Sequence, residues 1–333
     1  MQAATGAKRV LFITFGRETT ASTRLRVLAI IPHLSANGIV CDVLPWNRGR
    51  AGEIAAAAGA SDLVYVQKAP VPTSILSRAK AKKIPIVYDF DDAVWTSIRP
   101  RLWPASARVR GRFGRLVSTA DVVVAANSYL ADEARRSSSN VVIVPTPVDI
   151  SAYAPRSHSG RGRVVGWVGS VENLRYVRQI EPALAAVAKA HRDVVLRIVC
   201  NEPFHSDCIK TEFVQWELGR SHEYASGFDI GLSPGDGSVW SLGKSSYKAI
   251  ESMASAVPVV ASRVGYNLQL IRDGVDGFLA DGAAEWADRI GALVEQPELR
   301  EKIGSAGRAR VSETHALPLV AAMVHKLISD LLS

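Results

Sequence analysis

Two lysines and a glutamate in the second half of the chain have the types and spacing to bind an anion. Lys244, Lys248 and Glu251 stand at positions i, i+4 and i+7 of a predicted helix that begins near Gly243, so they share one helix face. Two lysines in the first turns oppose the helix dipole, whose positive end already lies there. The arrangement becomes favourable when an anion meets both ammonium groups and the free N–H groups of the helix N-terminus. A nucleotide diphosphate is the natural candidate.

The alternative is a surface pair between Lys248 and Glu251 with a solvated Lys244. The flanking Gly243 and the SMASAVPVVAS segment that follows favour the anion site. Lys244 and Lys248 are therefore the first candidate catalytic residues.

A second candidate contact lies in the GWVGS segment, residues 166–170. Gly169 and Ser170 follow a predicted strand, where a tight turn lets backbone N–H groups approach a phosphate or a sugar closely. An ordinary strand-to-helix turn is the alternative. Arg175 lies a few residues further on and is either a pyrophosphate contact or a cation on the helix surface.

The first half offers its own candidates after the opening strand. Gly16 is followed by the helical segment ASTRLRVLAIIPHL, which carries Arg24 and Arg26 near its start. Arginines at a helix N-terminus favour an anionic ligand, and Ser22 or Thr23 would supply the N-cap. The alternative, arginines paired to nearby carboxylates, is as plausible for Arg26 and less so for Arg24.

An arginine-rich segment lies between residues 93 and 120, which contain no acidic residue. A predicted helix over residues 105–117 places Val109, Phe113 and Leu116 on one face, with arginines beside them. Such a helix is typical of contact with an anionic membrane surface, and solvated arginines are the alternative. Trp95 and Trp103 favour the membrane interface. The arginines are Arg99, Arg101, Arg108, Arg110, Arg112 and Arg115.

Short apolar runs alternate with segments of helical period, which predicts an α/β fold of doubly wound parallel sheets. Runs of this kind cover residues 10–15, 39–44, 63–67, 84–89, 121–125 and 141–144. Residues 145–163 interrupt the pattern and predict a linker, after which strands at 164–168, 194–200, 229–232, 257–261 and 277–280 surround a long helix over 174–191. We expect a first domain over residues 1–155, a second over 156–315, and a last helix over about 316–333 that packs back on the first. Two Rossmann-like domains imply a central cleft that receives the ligands.

Composition excludes several other classes. The chain has 333 residues, of which 47% are hydrophobic and 22% charged, and its net charge is +8, so it is neither disordered nor fibrous. Three cysteines without a CxxC motif predict neither a disulfide framework nor a zinc site, and fit a reducing compartment. The scattered histidines predict no metal site. The opening apolar run is too short for a signal peptide, and no window is long enough for a membrane span.

The segment over residues 228–280 contains FDIGLSP, WSLGKSSYKAIESMASAVPVVAS and RDGVDGFLA. It resembles the nucleotide-sugar-binding half of glycosyltransferase family 4, which has the GT-B architecture and includes enzymes of bacterial glycan assembly. GWVGS and VYDFDDAVW are also typical of that group, so the resemblance covers most of the chain.

The resemblance implies that Glu251 accepts hydrogen bonds from two ribose hydroxyls. The family's first glutamate would fall at position 243, where this chain has Gly243, and Asp236 or the backbone of residues 235–238 is the candidate replacement. Asp89 and Asp91 spell the DxD metal signature of the other major glycosyltransferase fold. We interpret Asp91 and Asp92 instead as catalytic-site carboxylates that bind acceptor hydroxyls, orient an arginine of the first domain or cap the following loop.

The resemblance further implies a retaining, metal-independent glycosyltransferase without a cofactor. It would move a sugar from a nucleotide diphosphate donor to a hydroxyl of a glycan or a lipid-linked acceptor. We expect a cytoplasmic protein, peripheral on the inner face of the membrane, with no nucleic-acid partner. The alternatives are a nucleotide-sugar epimerase of the same architecture and a carbohydrate- or anion-binding module without catalysis.

Overall fold

The computed structural model describes residues 7–96 and 107–333, and the chain divides into two compact units. Unit 1 consists of Met1–Pro147, Gly243–Ser245 and Leu317–Ser333, and unit 2 of Val148–Leu242 and Ser246–Ala316. The division thus falls at Pro147, inside the predicted linker, rather than at residue 155. The last helix belongs to unit 1.

Unit 1 is built on a six-stranded parallel sheet in the order β2-β1-β3-β4-β5-β6. Apolar side chains project from both faces of its strands, so each face needs its own cover of helices. The strands are β1 (Lys8–Thr14), β2 (Ile39–Pro45), β3 (Leu63–Gln67), β4 (Ile86–Phe90), β5 (Val122–Ala125) and β6 (Val141–Ile143). The helices before the linker are α1 (Ala21–Thr23), α2 (Ile31–Ala36), α3 (Ala51–Ala58), α4 (Thr73–Ala81), α5 (Ala107–Thr119) and α6 (Ser128–Arg135), with a π-helical turn at Arg24–Leu28 and a 3-10 turn at Arg48–Arg50.

Successive residues of β1 show how the two faces are filled. Leu11 and Ile13 pack into a core that includes buried residues of α3, α4, α5 and α6. Val10 and Phe12 pack into the opposite core, which includes side chains of α2 and of the last helix. Both cores are apolar, as a doubly wound sheet requires.

Unit 2 has a second six-stranded parallel sheet, in the order β12-β11-β10-β7-β8-β9. This is the dinucleotide-fold order, with its topological switch point between β7 and β10. The strands are β7 (Val164–Val168), β8 (Val195–Cys200), β9 (Thr211–Gln215), β10 (Ile230–Ser233), β11 (Val259–Ser262) and β12 (Phe278–Ala280). The helices are α7 (Leu174–Gln179), α8 (Glu181–Ala190), α9 (Ser221–Ser226), α10 (Val239–Leu242), α11 (Tyr247–Ala254), α12 (Asn267–Leu270), α13 (Gly282–Glu295) and α14 (Pro297–Thr314), with 3-10 turns at Ile150–Ala152 and Val171–Asn173, and α15 (Leu317–Leu332) follows in unit 1.

The predicted doubly wound parallel sheets are confirmed, with two differences in unit 2. The single helix expected over residues 174–191 is two helices, because Pro182 stands in the first turn of α8 and Ile180 leaves helical geometry before it. Strand β9 was not predicted. No helix in the described part of the chain is both long and apolar enough to cross a membrane.

Candidate functional site

The carboxyl ends of β7 and β10 meet at the switch point of unit 2, where open α/β sheets bind their ligands. Gly169 and Ser170 follow β7 directly, and Lys248 lies in the first turn of α11. The Lys248 ammonium lies 5.4 Å from the ring centroid of Trp167, which is in β7. The structure therefore brings the predicted lysine to the predicted glycine turn.

Gly169 is required for this approach. A Cβ atom at position 169 would lie 2.7 Å from Cε of Lys248 and 2.7 Å from two ring atoms of Trp167, closer than packed atoms come. The absence of a side chain lets the lysine pass over the end of β7. The result is a cation held over the turn at the carboxyl edge of the sheet, where it can pair with a phosphate. The Gly169 N–H itself donates to the Val199 carbonyl oxygen at 3.0 Å.

The helix expected to begin near Gly243 begins at Tyr247, so one part of the sequence prediction is wrong. Ser246 has φ 53° and ψ 33°, a left-handed conformation that interrupts a right-handed helix. Lys248 and Glu251 remain on α11 at i, i+3. Lys244 precedes the helix, so the three residues do not share one helix face.

The stretch that contains Lys244 clusters with unit 1. A Cβ atom on Gly243 would lie 2.8 Å from the backbone nitrogen of Ala93, so the close approach of the two backbones requires glycine there. Asn127 Nδ2 donates to the carbonyl oxygen of Lys244 at 3.2 Å. These contacts give a packing reason for glycine at position 243.

Glu251 is buried in α11, and its Oε1 accepts a hydrogen bond of 2.8 Å from the hydroxyl of Tyr153. Burial, and then the nearby Glu251 charge, raise the pKa of Tyr153 above its ordinary value. The expected ribose contact of Glu251 stays a prediction. Tyr153 was missed by the sequence analysis, because a tyrosine in a linker carries no motif.

The remaining candidates of unit 2 lie around this edge. The Arg175 guanidinium stacks at 4.7 Å on the ring of Tyr176 and donates to its hydroxyl at 2.7 Å. Ser170 Oγ accepts a hydrogen bond from Asn173. Asp236 faces a cavity of about 230 Å³ at the ends of β10, β11 and β12. Other residues that line the cavity include Gly235, Ser262, Arg263, Asp281 and Trp286.

In unit 1, Arg26 is structural. Its Nε donates to Asp89 Oδ1 at 2.9 Å, and its Nη1 donates to Thr146 Oγ1 at 3.1 Å, all within the core. Tyr65 donates to the other oxygen of Asp89 at 2.6 Å. A buried arginine with this set of acceptors is paired rather than presented to a ligand. Arg26 is thus held by Asp89.

The N-cap expected at Ser22 or Thr23 is wrong, because α1 begins at Ala21 and the residue before it, Thr20, makes no side-chain cap. Thr23 Oγ1 instead accepts from the Gly16 N–H at 3.3 Å and donates to Gln67 Oε1 at 3.2 Å.

Arg24 is half-buried at this end of the sheet and donates to the Glu18 carbonyl oxygen at 2.9 Å.

Asp91 and Asp92 share a lysine that sequence analysis did not single out. Lys68 Nζ lies 3.3 Å from Asp91 Oδ1 and also pairs with Asp92 Oδ2. Burial raises the pKa of the Asp91 carboxyl. Although burial opposes it, the two carboxylates raise the pKa of Lys68 above its ordinary value. A lysine directly after the apolar run LVYVQ was the available signal.

Helix α5 confirms the predicted amphipathic segment. Phe113, Leu116 and Val117 are buried, and the described arginines of α5 are exposed. These are Arg108, Arg110, Arg112 and Arg115. Arg99, Arg101 and Trp103 lie outside the described residues. Trp95 does not support a membrane interface, because it is buried and packs 5.1 Å from the ring of Phe113.

Comparison with known proteins places this site in a family. The model of the family described as "Glycosyl transferases group 1" matches residues 162–296, which include Gly169, Lys248 and Glu251. We call residues 162–296, which match this family model, the group 1 domain. The resemblance to a family 4 type of glycosyltransferase is thereby confirmed.

The curated proteins to which the chain is similar are named as glycosyltransferases. The chain is 28% identical to the D-inositol 3-phosphate glycosyltransferase of Actinosynnema mirum over 227 residues, 59% of this chain and 53% of that protein. It is 25% identical to the MMP alpha-(1->4)-mannosyltransferase of Mycolicibacterium hassiacum over 245 residues, 68% of this chain and 58% of that protein. The chain spans about half the length of the curated relatives it matches.

Two solved structures match nearly all of the chain. Anabaena HepE in complex with UDP and glucose has a TM-score of 0.70 at 14% identity, and the match covers 97% of this chain and 100% of that one. A glycosyltransferase from Rickettsia africae has a TM-score of 0.71 at 13% identity, with 98% and 99% covered. At this identity the similarity shows the fold, which is the GT-B fold expected from the sequence.

Proposed function

We propose that this protein is a retaining glycosyltransferase that moves a sugar from a nucleotide diphosphate donor to a hydroxyl of a glycan or lipid-linked acceptor. One observation carries the proposal: Lys248 of the group 1 domain crosses Gly169 at the switch point of unit 2. The complex of Anabaena HepE with UDP supports a nucleoside diphosphate as the ligand of this edge.

The chemistry follows from where charge develops during transfer. Cleavage of the bond between the sugar and the diphosphate leaves negative charge on the departing oxygens. A fixed cation and backbone N–H groups stabilise that charge without a protein nucleophile. We assign this role to Lys248, and the same role to Lys244. Since lysines would neutralise the diphosphate, we propose that transfer needs neither a metal ion nor a cofactor.

An acceptor-dependent assay tests this proposal against both alternatives. The protein is incubated with a panel of nucleotide sugars, with and without simple glycosides as acceptors, in EDTA. A transferase releases nucleoside diphosphate only with acceptor, and NMR of the product shows the anomeric configuration retained. Donor converted to a different sugar without release would indicate an epimerase, and no turnover of any donor would indicate a binding module.

Lys248→Ala is the matched variant for this assay. We expect it to lower the rate at least about a hundredfold, because a charged transition-state contact of roughly 3 kcal/mol is lost. Lys302 is an exposed lysine on α14 of the same unit, and Lys302→Ala should keep the full rate. Equal rates for the two variants would contradict the role of Lys248.

We further propose that the exposed arginines of α5 hold the protein on the inner, anionic face of the cytoplasmic membrane. The neighbouring helix α4 carries exposed Arg78 and Lys80 and no acidic residue. The described residues of α5 likewise include no acidic residue. Each cation near an anionic surface contributes about 1 kcal/mol of attraction.

Flotation with vesicles that contain anionic phospholipid tests this surface. Replacing Arg108, Arg112 and Arg115 with serine should release the protein from the vesicles. The matched control replaces three exposed cations of unit 2 with serine and should float like the wild type. The control residues are Lys189, Arg192 and Lys302. Absence of wild-type flotation, or equal flotation of both triple variants, would contradict the proposal.

A further inference from the structure

One tyrosine of the segment predicted as a linker is buried against the helix that carries the proposed nucleotide contacts. Tyr153 follows the 3-10 turn Ile150–Ala152 of unit 2, and only 6% of it is exposed. Its side chain packs in the same apolar core as buried residues of α11, which include Ala249, Ile250 and Met253. The chemistry of transfer described above gives this tyrosine no role.

The hydroxyl of Tyr153 holds a buried carboxylate. It donates to Glu251 Oε1 at 2.8 Å, and Glu251 is itself only 6% exposed. Burial, and then the Glu251 charge, raise the pKa of Tyr153, so the hydroxyl keeps its proton at neutral pH and acts as the donor. A buried carboxylate needs such partners, and a hydrogen bond to a charged group is among the stronger ones. Tyr153 therefore fixes the orientation of the Glu251 side chain.

The backbone of Tyr153 is anchored independently of its hydroxyl. Arg308 of α14 donates from Nη1 to the Tyr153 carbonyl oxygen at 2.7 Å, and from Nη2 to the Ile150 carbonyl oxygen at 3.2 Å. The same Nη1 donates to the carbonyl oxygen of Ala254, the last residue of α11. The guanidinium thus ties residues 150–153 to the end of α11. The tyrosine reaches Glu251 from a fixed backbone, as a residue that positions another one must.

The orientation of Glu251 matters because of what its carboxylate is expected to bind. Glu251 lies on α11 about one turn beyond Lys248. Each oxygen of a carboxylate accepts up to two hydrogen bonds, so the bond from Tyr153 is compatible with ligand hydroxyls on the same side chain. Two neighbouring hydroxyls of a ribose can meet the two oxygens of one carboxylate only when the plane of the carboxylate is held. A carboxylate that rotates freely would lose one of the two contacts.

We propose that Tyr153 is a positioning residue for nucleotide recognition: its hydroxyl holds the Glu251 carboxylate in the plane that accepts two ribose hydroxyls. The site thereby prefers a ribonucleotide to the 2′-deoxyribonucleotide with the same base. This inference rests on the proposed transferase function and on the ribose contact expected for Glu251. It gives a role in specificity to a residue that lies outside every motif of the sequence.

Calorimetric titration of the full chain with UDP, GDP and ADP, and with dUDP, dGDP and dADP, tests the proposal. We expect the nucleotide that binds best to lose at least about tenfold in affinity when its 2′-hydroxyl is absent. Tyr153→Phe keeps the ring and removes only the hydroxyl. It should weaken binding of the ribonucleotide about threefold to tenfold and leave the affinity for the 2′-deoxyribonucleotide unchanged. A general loss of structure would weaken both.

The matched control is Tyr65→Phe. Tyr65 of unit 1 is another buried tyrosine whose hydroxyl donates to a carboxylate oxygen, Asp89 Oδ2, at 2.6 Å. Tyr65→Phe should keep the wild-type preference for ribose. Glu251→Ala should abolish the preference, and Tyr153→Phe added to it should have no further effect, because the tyrosine acts through the carboxylate.

The comparison of ribonucleotide with 2′-deoxyribonucleotide in the wild type depends on no variant. Equal affinity for the two forms would overturn the proposal. So would a wild-type preference in Tyr153→Phe, or an equal weakening of both forms by Tyr153→Phe. Absence of binding by every nucleotide would refute the transferase proposal as well, whereas a ribose preference that depends on Glu251 but not on Tyr153 would refute only this inference.

Discussion

Gly169 lies where the side chain of Lys248 crosses the end of β7. Alanine there would place a Cβ atom 2.7 Å from both Lys248 and Trp167, so we expect Gly169→Ala to lower the free energy of unfolding by about 1–3 kcal/mol. Gly237→Ala is the control, because a Cβ atom at that position meets nothing within 4 Å. Urea unfolding of both variants checks the prediction, and equal stabilities would show that the lysine moves aside without cost.

Arg26 gives a second prediction at the residue scale. Arg26→Leu would leave Asp89 as a buried carboxylate without its cation, so we expect a loss of about 3–5 kcal/mol of stability. Arg9 pairs with Asp42 at the surface, and Arg9→Leu should change stability by no more than about 1 kcal/mol. Urea unfolding compares the two, and a small effect of Arg26→Leu would mean that the Asp89 site rearranges around the loss.

Sequence analysis found the residues of the site that belong to a motif and missed those that support them. Lys248 and Gly169 were predicted, because a lysine at helical spacing and a glycine directly after a strand are visible in a short stretch of sequence. Lys68 and Tyr153 were missed, since their roles depend on Asp91, Asp92 and Glu251, which are distant in sequence. Such pairing leaves no local pattern at Tyr153, and at Lys68 it leaves only the position of a lysine directly after an apolar run.

At the scale of elements, the start of α11 shows the limit of periodicity. The spacing of Lys244, Lys248 and Glu251 fits a helix, but the left-handed Ser246 sets the first helical residue at Tyr247. Packing of Gly243 against Ala93 places the preceding turn in unit 1. Because of this tertiary contact, residues 243–246 do not form the first turn of the helix that the spacing predicts.

The junction between α14 and α15 predicts a pH dependence of stability. Burial, and then the charge of Arg310, lower the pKa of His315 to about 4, against about 6.5 in an unfolded chain. Between these values the unfolded state binds the extra proton, so the free energy of unfolding falls as pH falls from about 6.5 to about 4, by up to about 3 kcal/mol. Urea unfolding at several pH values measures this slope.

His315→Gln should flatten the slope in this window. Its hydrogen bonds to Tyr266 and Thr314 make some loss of stability at neutral pH expected as well. His205 is exposed, and His205→Gln should keep the wild-type slope. An unchanged slope in His315→Gln would assign the pH dependence to other groups.

The fold of the whole molecule could be predicted from the sequence more completely than the contacts of the site could. Continuous apolar strands such as LVYVQ and VVGWV can only be buried on both faces, so the doubly wound sheets followed directly. Strand β9 was missed because its burial is partial at the edge of the sheet, and an edge strand lacks the apolar run that marks its neighbours. The GT-B fold came from the motifs and is confirmed by the structural matches.

The central claim is that the group 1 domain binds a nucleoside diphosphate through Lys248. Calorimetric titration of UDP, GDP, ADP, dTDP and CMP in EDTA tests it most directly. We predict that one nucleoside diphosphate binds, that Lys248→Ala weakens its affinity at least about tenfold, and that Lys302→Ala leaves it unchanged. No binding by any of these nucleotides, or equal affinity in wild type and Lys248→Ala, would contradict the account.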